Sequence, residues 1–71
     1  MTKELIDHGM VKTFDSFKGF GFITREKGKD VFFFYEEIIS EDKYLCAGDL
    51  VSFTVQKLPR GPRAFNIKKE A

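Results

Sequence analysis

Two phenylalanines separated by one glycine, in Lys18-Gly19-Phe20-Gly21-Phe22-Ile23-Thr24, are the first residues whose type and spacing suggest chemistry. Side chains two apart on an extended strand share a face, so Phe20 and Phe22 stand together. Val31-Phe32-Phe33-Phe34-Tyr35 repeats the arrangement with more ring surface. Alternation there places Val31 and Phe33 on one face and Phe32 and Phe34 on the other. With Val31 and Phe33 in the core, Phe32 and Phe34 face outward beside Phe20 and Phe22. Rings held in a row on a surface stack on other flat π-systems, and unpaired nucleobases offer such a face whatever their sequence. Gly19 and Gly21 weaken strand propensity and therefore need a reason. Open space beside each ring, for a flat ligand or for a crossing strand, supplies one.

Composition sharpens the point. The chain has 71 residues with nine Phe, two Tyr and no Trp, too much ring surface for so small a core to bury easily. The formal net charge of +1 announces no polyanionic partner, so electrostatics depend on placement. Lys12, Lys18, Lys57, Arg60 and Arg63 lie near aromatic segments or in the loop between two strands, while Glu36, Glu37, Glu41 and Asp42 gather mid-chain. Lys3, Lys27, Lys29, Lys43, Lys68 and Lys69 read as ordinary solvated charges. His8 and the single Cys46 have no partners at metal-ligand or nucleophile–base spacing. Gly19-x-Gly21 lacks the third glycine and following helix of a dinucleotide site. No enzyme activity, metal, cofactor or small-molecule substrate is expected. The N-terminal residues hold no signal-like apolar run and no segment approaches a membrane span, so a cytoplasmic protein without a membrane partner is expected. One cysteine excludes an internal disulfide and suits a reducing compartment.

The elements that must hold these rings are short strands. Residues 1–8 read as an N-terminal extension and 9–71 as one domain. Met10–Phe14, Lys18–Thr24 and Val31–Tyr35 are the first three strands, with a turn at Glu26–Asp30. Glu36 to Gly48 is a longer connection with a helical turn near Glu36–Ile39. Val51, Phe53 and Val55 alternate with Ser52, Thr54 and Gln56, a strand with one buried face. Pro59 and Pro62 end it, since proline cannot extend a ladder. Ala64–Ile67 is the last strand, with Phe65 and Ile67 turned inward. Phe33, Phe53, Phe65 and Val31 are the expected core. Five short strands with little helix imply an all-β, closed or nearly closed antiparallel barrel, an SH3-like barrel being the alternative on strand count.

These segments resemble the cold-shock domain family, small five-stranded antiparallel OB-fold barrels that bind single-stranded RNA and DNA. Gly9-Met10-Val11-Lys12-Thr13-Phe14-Asp15 is similar to the family's G-x-V-K-W-F-N. Lys18-Gly19-Phe20-Gly21-Phe22-Ile23 is its first ribonucleoprotein-type motif without change. Asp30-Val31-Phe32-Phe33-Phe34-Tyr35 stands where it reads D-V-F-V-H-F. Leu45-Cys46-Ala47-Gly48, Val51-Ser52-Phe53 and Arg60-Gly61-Pro62-Arg63-Ala64-Phe65-Asn66-Ile67 follow in order at family-like spacing. The resemblance covers Gly9 to about Lys68 and identifies a divergent, bacterial cold-shock-like chain. It implies that Phe20, Phe22, Phe32 and Tyr35 stack bases, joined by Phe34. It also implies that Lys12, Lys18 and Arg60 approach backbone or bases and that Asp30 hydrogen-bonds near that surface. Tyr44 lies close to another loop aromatic of the family.

Four positions depart from the pattern. Thr13 replaces a stacking Trp, Asp15 an Asn, Phe34 a His, and Glu36 a Ser or Lys. Loss of a ring at Thr13 removes a platform worth about 1–3 kcal/mol per base. Phe34 keeps a ring, and Phe17 offers a further one. Asp15 and Glu36 add negative charge beside a phosphate-bearing ligand. The implied activity is RNA chaperoning or regulation of gene expression by a monomer, with a shallow salt dependence. The alternative is a divergent barrel with weakened nucleic-acid binding whose aromatic face mediates protein interaction or self-association.

Overall fold

The computed structural model describes residues 6–26, 28–39 and 43–70. Five strands, β1 (Ile6–Asp15), β2 (Phe20–Arg25), β3 (Val31–Phe34), β4 (Leu50–Leu58) and β5 (Gly61–Lys69), close into a barrel in the order β1-β2-β3-β5-β4. Closure buries one face of every strand in a common interior and leaves the other face outside. The expectation of a purely antiparallel barrel needs one correction. β3 and β5 run parallel, meeting at Phe32 and Arg63, and the other four seams are antiparallel. A parallel seam requires a long crossover rather than a hairpin. The connection from Tyr35 to Asp49 and strand β4 make that crossover.

β1 starts at Ile6, earlier than the Met10 expected, and Ile6–Met10 pair with Leu50–Thr54 of β4. His8 thus sits inside a strand, its Nδ1 3.1 Å from Glu70 Oε1. Of the expected N-terminal extension, residues 1–5 lie outside the described residues. Between Val11 and Thr13 the β1–β2 register slips, so Lys12 is an extra residue in the ladder. Such a bulge resets the alternation. Val11 is buried, Lys12 and Thr13 are both exposed, and Phe14 turns back toward the core.

The interior holds Val11, Ile23, Val31, Phe33, Ile38, Leu45, Val51, Phe53, Ala64 and Ile67. Val31, Phe33 and Phe53 are where alternation placed them. Phe65 is not. β5 buries Ala64 and then Ile67, three residues on, while Phe65 is half-buried on the outer side. Asn66 takes a left-handed backbone with φ 54°. Opposite it the β4 register slips between Ser52 and Thr54. The bulge at Asn66 inverts the phase, and Asn tolerates that conformation better than most residues.

The long connection also supplies core. A 3₁₀ turn over Tyr35–Glu37 ends with Ile38 N–H donating to Tyr35 O at 3.0 Å. Ile38 then bridges to Ile67, and Ile39 N–H donates to Ile67 O at 2.8 Å. Ile38 and Leu45 plug the barrel beside Phe33 and Phe53. Among the described residues no helix is long and apolar enough to cross a membrane.

Candidate nucleic-acid interface

The outward faces of β2 and β3 carry the expected rings. In their antiparallel ladder Phe20 is opposite Phe34, and Phe22 is opposite Phe32. Phe32 is the hub: its centroid lies 5.5 Å from Phe20, 5.5 Å from Phe22 and 4.8 Å from Phe34. These are ordinary distances for tilted and edge-to-face aromatic pairs, so the rings brace one another. Phe22 is 40% exposed and Phe34 37%. On the inner side of the same strand Val31 and Phe33 are fully buried. A solvent-facing aromatic cluster on a rigid sheet is thus present at the place that the spacing in the sequence indicates.

The two glycines serve different ends. A side chain at Gly21 would run into the Thr13 carbonyl and, at 2.8 Å, the Phe33 ring, so this glycine makes room for crossing β1 and the core. Ligand space is not its role. Gly19 has φ 80°, and its carbonyl accepts from Tyr35 N–H at 2.8 Å, which locks the turn before β2 to the end of β3. That contact fixes Tyr35, 44% exposed, at the rim of the aromatic face. Lys43 Nζ lies 5.6 Å from the Tyr35 ring centroid.

The charged residues are placed unequally. Lys12, pushed outward by its bulge, donates to Asp30 Oδ2 at 2.9 Å. Both side chains are open to solvent, so the pair is weak and a ligand can compete for either partner. Asp15 acts locally: its Oδ1 accepts from the N–H of Phe17 and of Lys18, each at 3.0 Å. The acid therefore shapes the turn. Phe17 at the tip of that turn is 99% exposed. Ser16, Phe17, Lys18, Gly19, Phe34, Tyr35 and Glu36 line a shallow depression there, with Lys18 and Glu36 both on its wall. Thr13 is exposed opposite Phe22, on the border of the aromatic face.

A larger groove of about 700 Å³ runs from Phe22, Phe32 and Phe34 to the β4–β5 turn at Leu58, Pro59, Arg60, Gly61, Pro62 and Arg63. Arg60 stands exposed on the turn. Arg63 was not among the expected site residues, yet it lies over two rings, its Cζ 4.3 Å from the Phe34 centroid and 4.9 Å from that of Phe65. Reading Phe65 as core concealed this. The signal for it was Asn66, a residue apt for a left-handed bulge that would turn Phe65 out beside Arg63. Tyr44 belongs elsewhere: it packs edge-on against Phe14 at 6.2 Å, and Phe14 stacks on Phe33. Its hydroxyl is held above the ordinary pKa first by its interaction with Cys46, then by loss of surrounding water and by Asp49, so it is a neutral phenol at pH 7.

Comparison with known proteins agrees with this geometry. The 'Cold-shock' DNA-binding domain family matches residues 7–70. The chain is similar to the retron Se72 cold shock-like protein of Salmonella heidelberg, 41% identical over 66 residues that cover 90% of this chain and 98% of that one. It is also 46% identical over 65 residues to the cold shock protein CspC of Bacillus subtilis, again covering 90% and 98%. Among solved structures it is similar to Drosophila Unr CSD456, with a TM-score of 0.81 and 26% identity over 96% of this chain and 28% of the other. A match along nearly the whole barrel, at this identity, leaves one conclusion: the chain belongs to the cold-shock domain family of nucleic-acid-binding OB-fold barrels.

Proposed function

We propose that this protein binds single-stranded RNA or DNA by stacking successive bases on Phe20, Phe22, Phe32, Phe34 and Tyr35. Lys12, Lys18 and Arg60 steer and hold the backbone, and Asp30 takes part at the edge beside Lys12. The observation that carries this reading is the ring cluster itself, braced around Phe32 with centroids 4.8–5.5 Å away and open to solvent on a closed barrel. Each stacked base contributes about 1–3 kcal/mol, so a few bases outweigh the cost of association. Paired bases hide their faces inside a duplex, which the site therefore rejects. Trapping unpaired segments melts weak hairpins without ATP, the basis for an RNA chaperone or a regulator of gene expression in the cytoplasm. The protein acts as a monomer and carries out no covalent chemistry.

The test is a titration of isotope-labelled protein with oligo-dT and with RNA of equal length, following backbone amide shifts. The amides of Phe20, Phe22 and Phe32 are expected to move with single strands and to ignore duplex. Stationary amides at low salt and high ligand overturn the reading, and light scattering on the same sample reports whether the face instead joins two copies. Affinity is expected to fall with salt at a log–log slope of roughly −0.7 per phosphate neutralised, over very few phosphates.

A further inference from the structure

We propose that Arg63 makes this site selective among bases. Its guanidinium recognises a base that presents two neighbouring hydrogen-bond acceptors, guanine through O6 and N7 or cytosine through O2 and N3. The inference rests on the single-strand reading above and deepens it.

The bulge at Asn66 sets the geometry. It leaves Arg63 and Phe65 together on the outer face of β5, across the parallel seam from Phe32. The guanidinium lies over both Phe34 and Phe65, which ties it to the edge of the aromatic cluster. Arg63 Nε is shut off from solvent and has no hydrogen-bond partner. Burying a donor without an acceptor is unfavourable, so the two ring contacts and not a hydrogen bond hold the side chain in place. Among the described residues no carboxylate pairs with Arg63, in contrast to Lys12 and Arg25. Arg63 itself lines the groove between Phe22, Phe32, Phe34 and the Pro59–Pro62 turn, and the proposed contact is made there by its Nη donors. Ring packing has already removed much of the side chain's freedom, which lowers the entropy lost on binding.

Two arginines border this groove in different surroundings. Arg60 is exposed on the turn, where it suits a solvated phosphate. Arg63 is half-buried among rings, where a stacked base and not a phosphate brings its edge. A planar fork of donors is best satisfied by two adjacent acceptors. Thymine and uracil set an N–H donor beside each carbonyl, and adenine sets its amino group beside N1 and N7. Both mismatch the fork.

The experiment compares binding of dT7 with dT7 carrying one dG, dC or dA at each position in turn, by calorimetry at fixed salt. The wild-type protein and the Arg63→Lys and Arg63→Gln variants are measured, each checked for folding by thermal melting. The wild-type protein is expected to favour dG or dC over dT and dA at one position by roughly 5- to 150-fold, the dG and dC series showing which base is taken. Both variants are expected to lose that preference while binding dT7 within about threefold of wild type. A wild-type protein that binds dT7 without any such preference overturns the inference and leaves the single-strand reading intact. So does a variant that weakens all sequences equally and flattens the salt slope, the mark of a phosphate contact. A wild-type protein that binds none of the oligonucleotides overturns both. As a measure independent of the variants, the Arg63 Nε–H resonance is expected to shift with the favoured oligonucleotide and to stay in place with dT7.

Discussion

β3 and β5 lie side by side in the barrel, and both bring aromatic residues to the seam between them, yet they answer differently to the same reading. β3 alternates without interruption: Val31 and Phe33 are buried, Phe32 is half-buried and Phe34 is exposed. β5 begins in the same phase and loses it at Asn66, where φ is 54° and the next inward residue is Ile67. β1 repeats the lesson, for its bulge at Lys12 turns two consecutive residues outward. A strand of four residues has no room to change phase. A strand of nine or ten that must wrap around a small barrel gains its bend from a bulge, and each bulge hands a side chain to the surface.

The widest expected contrast is between neighbours on β3. Phe33→Ala empties the centre of the core and is expected to destabilise the fold by about 3–5 kcal/mol in denaturant unfolding. Phe32→Ala is expected to leave the barrel folded and weaken oligonucleotide binding by about 1–3 kcal/mol. If Phe32→Ala unfolds the chain instead, its assignment to the outer face is wrong. On β5 the contrast sharpens at the bulge. Asn66→Val forces a branched side chain into a left-handed conformation and is expected to cost about 1–2 kcal/mol of stability, whereas Asn66→Gly remains close to wild type. Equal losses from both would remove the bulge as the cause of the phase change. The smallest expected effect concerns β1. Thr13→Trp restores a ring next to Phe22 and is expected to tighten binding by about 1 kcal/mol, read from the same titration. Unchanged affinity would show that the residue turned outward by the Lys12 bulge has left the ligand path.

Much of the candidate site was legible because it lies on the unbroken strands. Phe20, Phe22, Phe32 and Phe34 follow from period two, and the motif around them carries the resemblance to the family. The basic residues were legible as positions but not as states. That Lys12 is held by Asp30, and that Asp15 spends its carboxylate on the turn at Phe17 and Lys18, depends on which backbones meet in space. Ile38 and Leu45 escaped notice as core because they sit in a connection with no periodicity to read.

The sequence by itself determined an all-β barrel, the inner and outer faces of β2 and β3, and the ring cluster, since alternation and short turns are local properties. Tertiary structure alone decided the parallel β3–β5 seam, the meaning of Gly21 as room for β1, and the outward turn of Phe65. It also joined Arg63 to Phe34, distant in the chain, and to Phe65, which alternation had assigned to the core. The reason is physical. Closing a barrel of five strands demands bends that no single strand requires, and the bulges that supply them choose which side chains reach the surface.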